Sequence, residues 1–288
     1  MAIPPHIVED CMGLLKLFSD GTVFRSNIQF QEQPSSTQQH NNLVLFKDYI
    51  FHKKFDLHLR LYKPKLDNDD NGAESKEKLP VLMFLHGGGF CFGSHAWPHI
   101  HACCARLAVD LRAVVVAPDY RLAPEHRLPA AVDDCVEAVQ WLKRQGHGGD
   151  SWVTRRVDFE RVFVFGDSSG GNIAHHLAVQ LGSGSREMDP VRVRGYVLMG
   201  PFFGGVVRTK SENLAEVKLD PILVIVGGNE LLKDRAKDYA TRLKELGKNI
   251  EYVEFKDKEH GFLTHDSSSQ VVQDLLQIVK QFMLQNSS

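Results

Sequence analysis

From Pro80 to the C-terminus, short apolar runs alternate with amphipathic segments of helix length. The runs are rich in β-branched residues and bounded by Gly, Pro or Asp, which is typical of strands buried on both faces. Repeated strand-then-helix units place parallel strands in one sheet with helices packed on it. The predicted strands lie in VLMFLHGG, AVVVAPDY, RVFVFGD, GYVLMGPFF, PILVIVGGNE and IEYVEFKD, and the predicted helices in HACCARLAVDL, PAAVDDCVEAVQWLKRQ, GNIAHHLAVQLG, DRAKDYATRLKELG and SSQVVQDLLQIVKQFMLQ. We therefore predict an α/β protein with a mostly parallel central sheet flanked by helices.

The part of the chain before Pro80 has a different pattern. VLFKDYIF and LHLRLYK flank a short polar stretch, residues 52–56, and predict an antiparallel hairpin. The polar segments 31–42 and 65–78 contain few aliphatic residues and predict loops. Near the N-terminus, Val8–Arg25 contains the amphipathic stretch VEDCMGLLKLF, closed by the turn signal SDG. This stretch has two open interpretations, a structural helix or part of a lid over a pocket.

The chain has 288 residues, and length alone would suggest two domains of roughly 150 residues each. The alternation after Pro80 is unbroken, however, so all the predicted strands can join one sheet. We therefore predict an N-terminal cap or lid segment over residues 1–42 and a single α/β domain over residues 43–288.

Charge and cysteine content exclude several classes of protein. The 34 basic and 36 acidic residues give a net charge of −2, which argues against binding nucleic acid or anionic membranes by bulk charge. No run approaches the roughly 18 apolar residues of a membrane span, and no secretory signal begins the chain. The five cysteines are scattered without a C-x-x-C pair. We predict a soluble cytoplasmic protein, with a nuclear location also open, without metal or cofactor and with homodimerisation left open.

The motif Gly166-Asp167-Ser168-Ser169-Gly170 has the G-x-S-x-G spacing, with a predicted strand before it and a predicted helix after it. A serine on such a sharp turn is exposed above the sheet, and the glycines allow close backbone approach. The helix N-terminus points free N–H groups at developing negative charge. We predict that Ser168 is the nucleophile and that the Ser169 N–H is one oxyanion donor. The alternatives are a phosphate-binding glycine turn and a plain strand-to-helix turn.

A second motif, His86-Gly87-Gly88-Gly89, follows the predicted strand VLMFL. Consecutive glycines expose backbone N–H groups without obstruction by side chains, as an oxyanion hole requires. Gly88 and Gly89 are the predicted donors. His86 is a conceivable general base, but its place in the glycine turn favours a role in holding the loop, together with Gly87.

A serine nucleophile needs a base, and the base needs an acid that orients it. In α/β hydrolases the order along the chain is serine, acid, histidine. Glu230 follows the strand PILVIVGG and His260 follows the strand IEYVEF, both at strand ends where open α/β sheets collect functional groups. We predict His260 as the base and Glu230 as the acid. Asp234, in the following helix, is the rival acid, and His265 is a weaker candidate for the base.

The HAWPHIH segment resembles a metal-binding sequence because it contains three histidines within seven residues. Pro98 interrupts any helical i, i+4 spacing, and no carboxylate lies close in sequence, so we predict no metal there. The histidines concerned are His95, His99 and His101.

Four motifs together resemble one known family. HGGGF, DYRLAPE (Asp119 to Glu125), GDSSGGNIA and EHGF are similar to the hormone-sensitive-lipase branch of the α/β hydrolases. VEDCMGLLKLFSDGTVFR is similar to the plant carboxylesterases from which the gibberellin receptor arose. RVRGYVLMGPFFGG and VIVGGNELLKDRAKDYA most resemble the carboxylesterase 15 subgroup, whose members cleave strigolactones. The resemblance runs from about Val8 to Leu284.

The resemblance implies an α/β-hydrolase fold and a serine carboxylesterase with Ser168, His260 and the acid after the seventh strand. Most relatives carry Asp at the acid position, whereas this chain has Glu230, as the carboxylesterase 15 subgroup does. The implied partner is a small-molecule ester or butenolide, such as a strigolactone. The alternative function is that of a hormone receptor related to the gibberellin receptor. Those receptors have lost the catalytic histidine, so His260 favours an enzyme.

The chain departs from this family in one place. Relatives have a longer segment between the strands GYVLMGPFF and PILVIVGG, which supplies helices beside the pocket and an Asn-Pro dipeptide, but here only Gly204–Asp220 remains. Either the deletion is real and opens the pocket, or residues are missing between Asn213 and Leu214. The abrupt SEN-LAE junction favours the second interpretation.

Overall fold

The central element of the fold is an eight-stranded sheet, seen in a computed structural model that describes residues 4–26, 42–65, 77–182, 186–204, 214–265 and 269–287. The strands in chain order are β1 (Ile7–Cys11), β2 (Leu15–Phe18), β3 (Val23–Arg25), β4 (Val44–His52), β5 (Leu57–Pro64), β6 (Leu79–Leu85), β7 (Val114–Pro118), β8 (Val157–Asp167), β9 (Val193–Met199), β10 (Ile222–Gly227) and β11 (Ile250–Phe255). The central sheet has the order β11-β10-β9-β8-β6-β7-β5-β4.

Six neighbouring strands of this sheet, β6 to β11, run parallel, and β5 and β4 are added antiparallel at one edge. The prediction of a mostly parallel sheet is therefore confirmed, strand by strand, for the runs after Pro80. The predicted hairpin is confirmed as β4 and β5, which are joined by a short 3₁₀ turn at Lys53–Phe55.

Helices connect the parallel strands, and each of the five predicted helices is present within one to three residues of its predicted bounds. The helices in chain order are α1 (Pro98–Asp110), α2 (Ala130–Gly146), α3 (Ser151–Thr154), α4 (Ser169–Leu181), α5 (Lys233–Glu245), α6 (Phe262–His265) and α7 (Gln270–Gln285). Among the described residues, none of these helices combines the length and the apolar character needed to cross a bilayer.

The core lies on both faces of the sheet, as the continuous apolar runs require. Along β8, Val162 and Val164 point into one cluster with α2, α4 and α5, while Phe163 and Phe165 point into the opposite cluster with α1 and α7. All four side chains are fully buried. From Val162 to Asp167 the central strand therefore has no solvated face, and its carboxyl end lies between two packed layers.

The N-terminal segment is a small antiparallel sheet, β1-β2-β3, so the interpretation as a structural helix is wrong. Met12 and Gly13 have φ angles of 50° and 71°, and the N–H of Leu14 bonds to the carbonyl of Cys11 at 2.9 Å. Two successive residues with positive φ form the tight turn that suits a hairpin and ends any helix. The interpretation of residues 1–42 as a cap or lid stays a prediction.

Several predicted features fall largely or partly outside the described residues. These are the loops 31–42 and 65–78, of which only residues 42, 65, 77 and 78 are described, and the shortened segment Gly204–Asp220, of which residues 205–213 are not described.

Candidate active site

The three predicted catalytic side chains follow three parallel strands at the same edge of the sheet. Ser168 comes directly after β8, Glu230 lies in the loop after β10, and His260 lies in the loop after β11. Carboxyl ends of parallel strands share one edge, so Ser168 and His260, which are 92 positions apart in sequence, come into contact there.

Ser168, His260 and Glu230 form a continuous hydrogen-bonded chain. The Ser168 Oγ lies 3.0 Å from His260 Nε2, and His260 Nδ1 lies 2.7 Å from Glu230 Oε2. A carboxylate can only accept, so Nδ1 carries the proton and donates it to Glu230. The lone pair of Nε2 therefore faces the serine hydroxyl. This arrangement has the geometry of a serine nucleophile, a base and an orienting acid.

The His260 imidazole is held ready to accept a proton. Its pKa is raised, chiefly by the hydrogen bond to Glu230 and further by the charges of Asp167 and Glu230, against the opposing effect of burial. The side chain of Glu230 is almost completely buried, whereas that of His260 is 39% exposed. A buried acceptor thus holds a base that a ligand can reach.

Ser168 has the strained backbone that the motif predicts. Its φ and ψ are 53° and −112°, a conformation that residues with a side chain seldom adopt. The flanking positions must be glycine because a Cβ there would collide with the backbone. A Cβ on Gly166 would lie 2.1 Å from the Gly170 carbonyl oxygen, and a Cβ on Gly170 would lie 2.0 Å from the Leu85 carbonyl oxygen. The tight turn presses the start of α4 against β6 and β8.

The oxyanion loop, which we define as residues 86–93, connects β6 to the segment before α1. Gly88 and Gly89 have φ angles of 123° and 62°, and a Cβ on Gly88 would lie 2.1 Å from the Phe92 carbonyl oxygen. Among the described residues, no backbone hydrogen bond outside helices and strands uses the N–H of Gly88, Gly89 or Ser169. These three groups match the donors predicted from the sequence, and their role stays a prediction.

His86 lies behind the oxyanion loop and is buried. Its Nδ1 donates to the Gly87 carbonyl at 2.8 Å, its ring stacks on Tyr120 with centroids 4.2 Å apart, and its own carbonyl accepts from the Tyr120 hydroxyl at 2.8 Å. Burial lowers the pKa of the ring. These contacts favour the loop-holding role over that of a general base.

A cavity of about 330 Å³ opens in front of Ser168 and His260. This volume is at the small end of the range for ligand pockets. The apolar lining comes from Leu14, in the turn between β1 and β2, and from Phe92, Trp97 and Ile100. The remaining lining residues are Ser26, Gly87, Gly88, Gly89, Gly93, His99, Asp167, Gly261 and Thr264. The cavity therefore suits a small, largely apolar ligand.

The other candidates from the sequence lie in or near the helices α1, α5 and α6. Asp234 is in the first turn of α5, where an acid favours the helix dipole. His265 ends α6, and its side chain is outside the described residues. His95 contacts the Asp119 carboxylate at 2.9 Å, and His101 contacts the Tyr62 hydroxyl at 3.2 Å. In the described part of the chain, no three His, Cys, Asp or Glu side chains form a group that could hold a metal.

Gly200, which was not predicted from the sequence, packs against the predicted acid, Glu230, and the predicted base, His260. It follows β9 with a φ of 47°, and a Cβ there would lie 2.8 Å from Glu230 Oε2 and 3.0 Å from His260 Cε1. Its position directly after a predicted strand was a usable signal. The close contact is made in the folded state only and could not be read from the sequence.

Asp167, also not predicted, is a buried carboxyl that lines the cavity beside Ser168. In the described residues its Oδ1 has no hydrogen-bond partner. Burial raises its pKa to about 6, against the attraction of His260. The signal in the sequence was its place inside the motif, immediately before Ser168.

Asp167→Asn should stabilise the protein at pH 8 and change little at pH 4. The native pKa lies above the ordinary value of 3.8, so ionisation costs stability as the pH rises through about 6. The neutral amide removes that cost, which is up to about 3 kcal/mol at about 1.4 kcal/mol per pKa unit. Urea denaturation at the two pH values measures the free energy of unfolding. An equal effect at pH 4 and pH 8 would contradict an ionisation cost at Asp167.

A family model described as the α/β hydrolase fold matches residues 82–219 and 206–264 of this chain. Together the two matches cover well over half of the sequence. They overlap at residues 206–219.

Curated plant proteins are similar to this chain. Carboxylesterase 20 of Arabidopsis thaliana is 42% identical over 171 residues, which are 59% of this chain and 51% of that protein. Probable carboxylesterase 6 of the same plant is 38% identical over 206 residues, 72% of this chain and 58% of that protein. The chain thus spans little more than half the length of these relatives.

Solved structures share the fold. An esterase from Pyrobaculum calidifontis superposes with a TM-score of 0.66 and 27% identity, covering 83% of this chain and 84% of the other.

Proposed function

This chain belongs to the α/β-hydrolase fold family, and from that premise we propose that it is a carboxylic-ester hydrolase with a Ser168, His260 and Glu230 triad. The observation that carries the proposal is the continuous chain of contacts from Ser168 Oγ through His260 to Glu230, at 3.0 Å and 2.7 Å. The relatives named carboxylesterases and the esterase of the same fold support it.

The proposed reaction has two stages. Ser168 Oγ attacks the ester carbonyl carbon while His260 Nε2 takes the hydroxyl proton, and the carbonyl oxygen becomes negatively charged. The N–H groups of Gly88, Gly89 and Ser169 stabilise that oxyanion. When the oxyanion collapses, the bond between the carbonyl carbon and the alcohol oxygen breaks, and His260 passes the proton to that oxygen. The alcohol departs, and the acyl group stays bound to Ser168. A water activated by His260 then releases the acid and restores the serine.

Hydrolysis of a p-nitrophenyl ester, with many turnovers per protein molecule, is the expected result for the purified chain. A fluorophosphonate reacts only with an activated serine, so it should label the protein once and abolish turnover. Mass spectrometry of the labelled peptide locates the adduct, which we expect on Ser168. A protein that neither turns over the ester nor takes the label is not a serine esterase.

The finer proposal is that the natural substrate is a small apolar plant metabolite such as a strigolactone. It rests on the resemblance of GYVLMGPFF and VIVGGNELLKDRAKDYA to the carboxylesterase 15 subgroup. The apolar cavity of about 330 Å³ supports a ligand of that character. Incubation with a strigolactone should release the butenolide D-ring product. Cleavage of simple esters without D-ring release would leave a general esterase.

The second candidate function is a hydrolase-fold hormone receptor. Leu14 and Ser26, both in the N-terminal segment, line the cavity, so this segment could close over a bound ligand and present a surface to a partner. The same fluorophosphonate experiment separates the two functions. A receptor would bind ligand with a silent Ser168, or with a single slow turnover.

The cytoplasm is the compartment that we propose. All five cysteines are free thiols in the structure, which supports a reducing environment.

A further inference from the structure

Arg25, at the end of β3, joins the N-terminal sheet to two loops beside the active site. Its Nε donates to the Cys91 carbonyl at 2.8 Å, and its Nη2 donates to the Ala123 carbonyl at 2.7 Å. The guanidinium also forms a two-pronged ion pair with the Glu125 carboxylate. A planar fork with several donors can satisfy all these acceptors at once, which a lysine cannot do.

The Cys91 carbonyl is the first link of a hydrogen-bonded chain that runs within the oxyanion loop to Gly88 and Gly89. It shares a rigid, planar peptide unit with the Phe92 N–H, which donates to the Gly88 carbonyl at 2.9 Å. The Gly88 carbonyl in turn shares a peptide unit with the Gly89 N–H. Fixing the direction of each carbonyl therefore fixes the direction of the N–H on the same plane.

A second connection reaches the same carbonyl. The Ala123 N–H donates to the Phe90 carbonyl at 2.8 Å, and the Cys91 N–H of that peptide unit donates to the Gly88 carbonyl at 3.0 Å. Arg25 also holds the Ala123 carbonyl. The guanidinium thus binds the first connection directly, at the Cys91 carbonyl, and also binds the residue from which the second connection starts.

The loop needs such support because its backbone is strained. Phe90 has a φ of 64°, in the left-handed region that a residue with a side chain seldom adopts, and it follows two glycines that also have positive φ. Without outside contacts a glycine-rich segment has many accessible conformations. The Arg25 guanidinium, at one end of this hydrogen-bonded chain, also polarises each N–H along it toward stronger donation.

We propose that Arg25 is a positioning residue for the oxyanion hole, which aims the N–H of Gly89 at the reacting carbonyl through two peptide units. This inference rests on the proposed esterase function. It makes the N-terminal sheet part of the catalytic arrangement as well as a wall of the cavity. The contacts that carry it are those from Arg25 to Cys91 and from Phe92 to Gly88.

Arg25→Gln should lower kcat for a p-nitrophenyl ester by about 10-fold to 100-fold, below the 10²-fold to 10³-fold that follows direct loss of an oxyanion donor. KM should change less than about threefold, because ground-state binding does not use the oxyanion. Affinity for a trifluoromethyl ketone, which forms a tetrahedral adduct on the serine, should fall by the same factor as kcat/KM.

Two further variants separate positioning from simple ion pairing. Glu125→Gln removes the ion pair but leaves the contact between Arg25 and Cys91, so kcat should fall no more than about threefold. Arg144→Gln removes a comparable surface pair, with Glu137 at 2.8 Å, and should leave kcat unchanged. If Arg25→Gln fails to fold, Arg25→Lys keeps the charge without the fork and should still lower kcat at least fivefold.

The outcomes distinguish the two proposals. A wild-type protein without ester turnover or fluorophosphonate labelling defeats the esterase function itself. Wild-type turnover together with full kcat in Arg25→Gln or Arg25→Lys overturns only the positioning role. So does a rise in KM at constant kcat, which would mean that Arg25 merely supports the cavity wall. An equal loss in Glu125→Gln would assign the effect to the ion pair instead.

Discussion

Ser168→Ala should lower kcat for ester hydrolysis by at least about 10⁴-fold, the scale that removal of a serine nucleophile produces in other triad enzymes. The Ser168 Oγ is the only atom removed, and it is the atom 3.0 Å from His260 Nε2. Labelling by a fluorophosphonate should disappear together with turnover. Steady-state kinetics and the intact mass of the labelled protein measure the two effects independently.

The fold of this variant should be unchanged, because alanine keeps the Cβ and therefore the same backbone strain at a φ of 53°. We expect a Tm within a few degrees of the wild-type value. Ser151→Ala is a matched control, since Ser151 begins α3, just before the opposite end of β8. It should retain full activity and labelling. Retained turnover in Ser168→Ala would rule out the proposed nucleophile.

The sheet and the edge that carries Ser168, Glu230 and His260 were predictable because they depend on local patterns. Apolar runs bounded by turn residues predicted the strands, and the chain order of serine, acid and histidine in strand-end loops predicted Ser168, Glu230 and His260. Parallel pairing then brings those loops together without further information. The sequence could therefore predict the contacts among residues far apart in the chain once the sheet was inferred.

The N-terminal segment was harder to predict because its apolar residues recur at helical spacing although the chain forms strands there. VEDCMGLLKLF reads as an amphipathic helix, but the turn at Met12 and Gly13 makes it a hairpin. Sequence carries no signal for the contact of Arg25 with the Cys91 carbonyl, because any side chain that reaches a backbone acceptor can make it. Asp167 stood inside the motif, but its burial could not be predicted, because it depends on packing in the folded chain, where its Oδ2 lies 3.2 Å from a Cβ built on Gly87.

Glu230→Gln should lower kcat by about 10³-fold to 10⁴-fold, as removing the acid's charge does in other triads. The amide can turn its NH₂ group toward His260 Nδ1, which would then have to accept a hydrogen bond. That favours the tautomer with the proton on Nε2, where it blocks deprotonation of Ser168. The Glu230 side chain is almost completely buried, so bulk water cannot readily replace the lost charge.

The pH dependence gives a second, independent measure of this pair. Glu230 is the largest cause of the raised pKa of His260. His260 must be neutral to act as a base, so activity falls below its pKa. In Glu230→Gln that pKa should drop, and the acid limb of the kcat/KM profile should move to lower pH while the plateau falls. Glu230→Asp keeps the charge and should restore part of the plateau.

Asp234→Asn tests the rival acid in the same assay. Asp234 lies in the first turn of α5, and the order of residues in the sequence alone left it open as the partner of His260. Its replacement should leave both the plateau and the acid limb at their wild-type values. A shift of the acid limb in Asp234→Asn, with none in Glu230→Gln, would transfer the orienting role to the helix. The 2.7 Å contact between Glu230 and His260 predicts the opposite result, because only a directly bonded acceptor can select the imidazole tautomer.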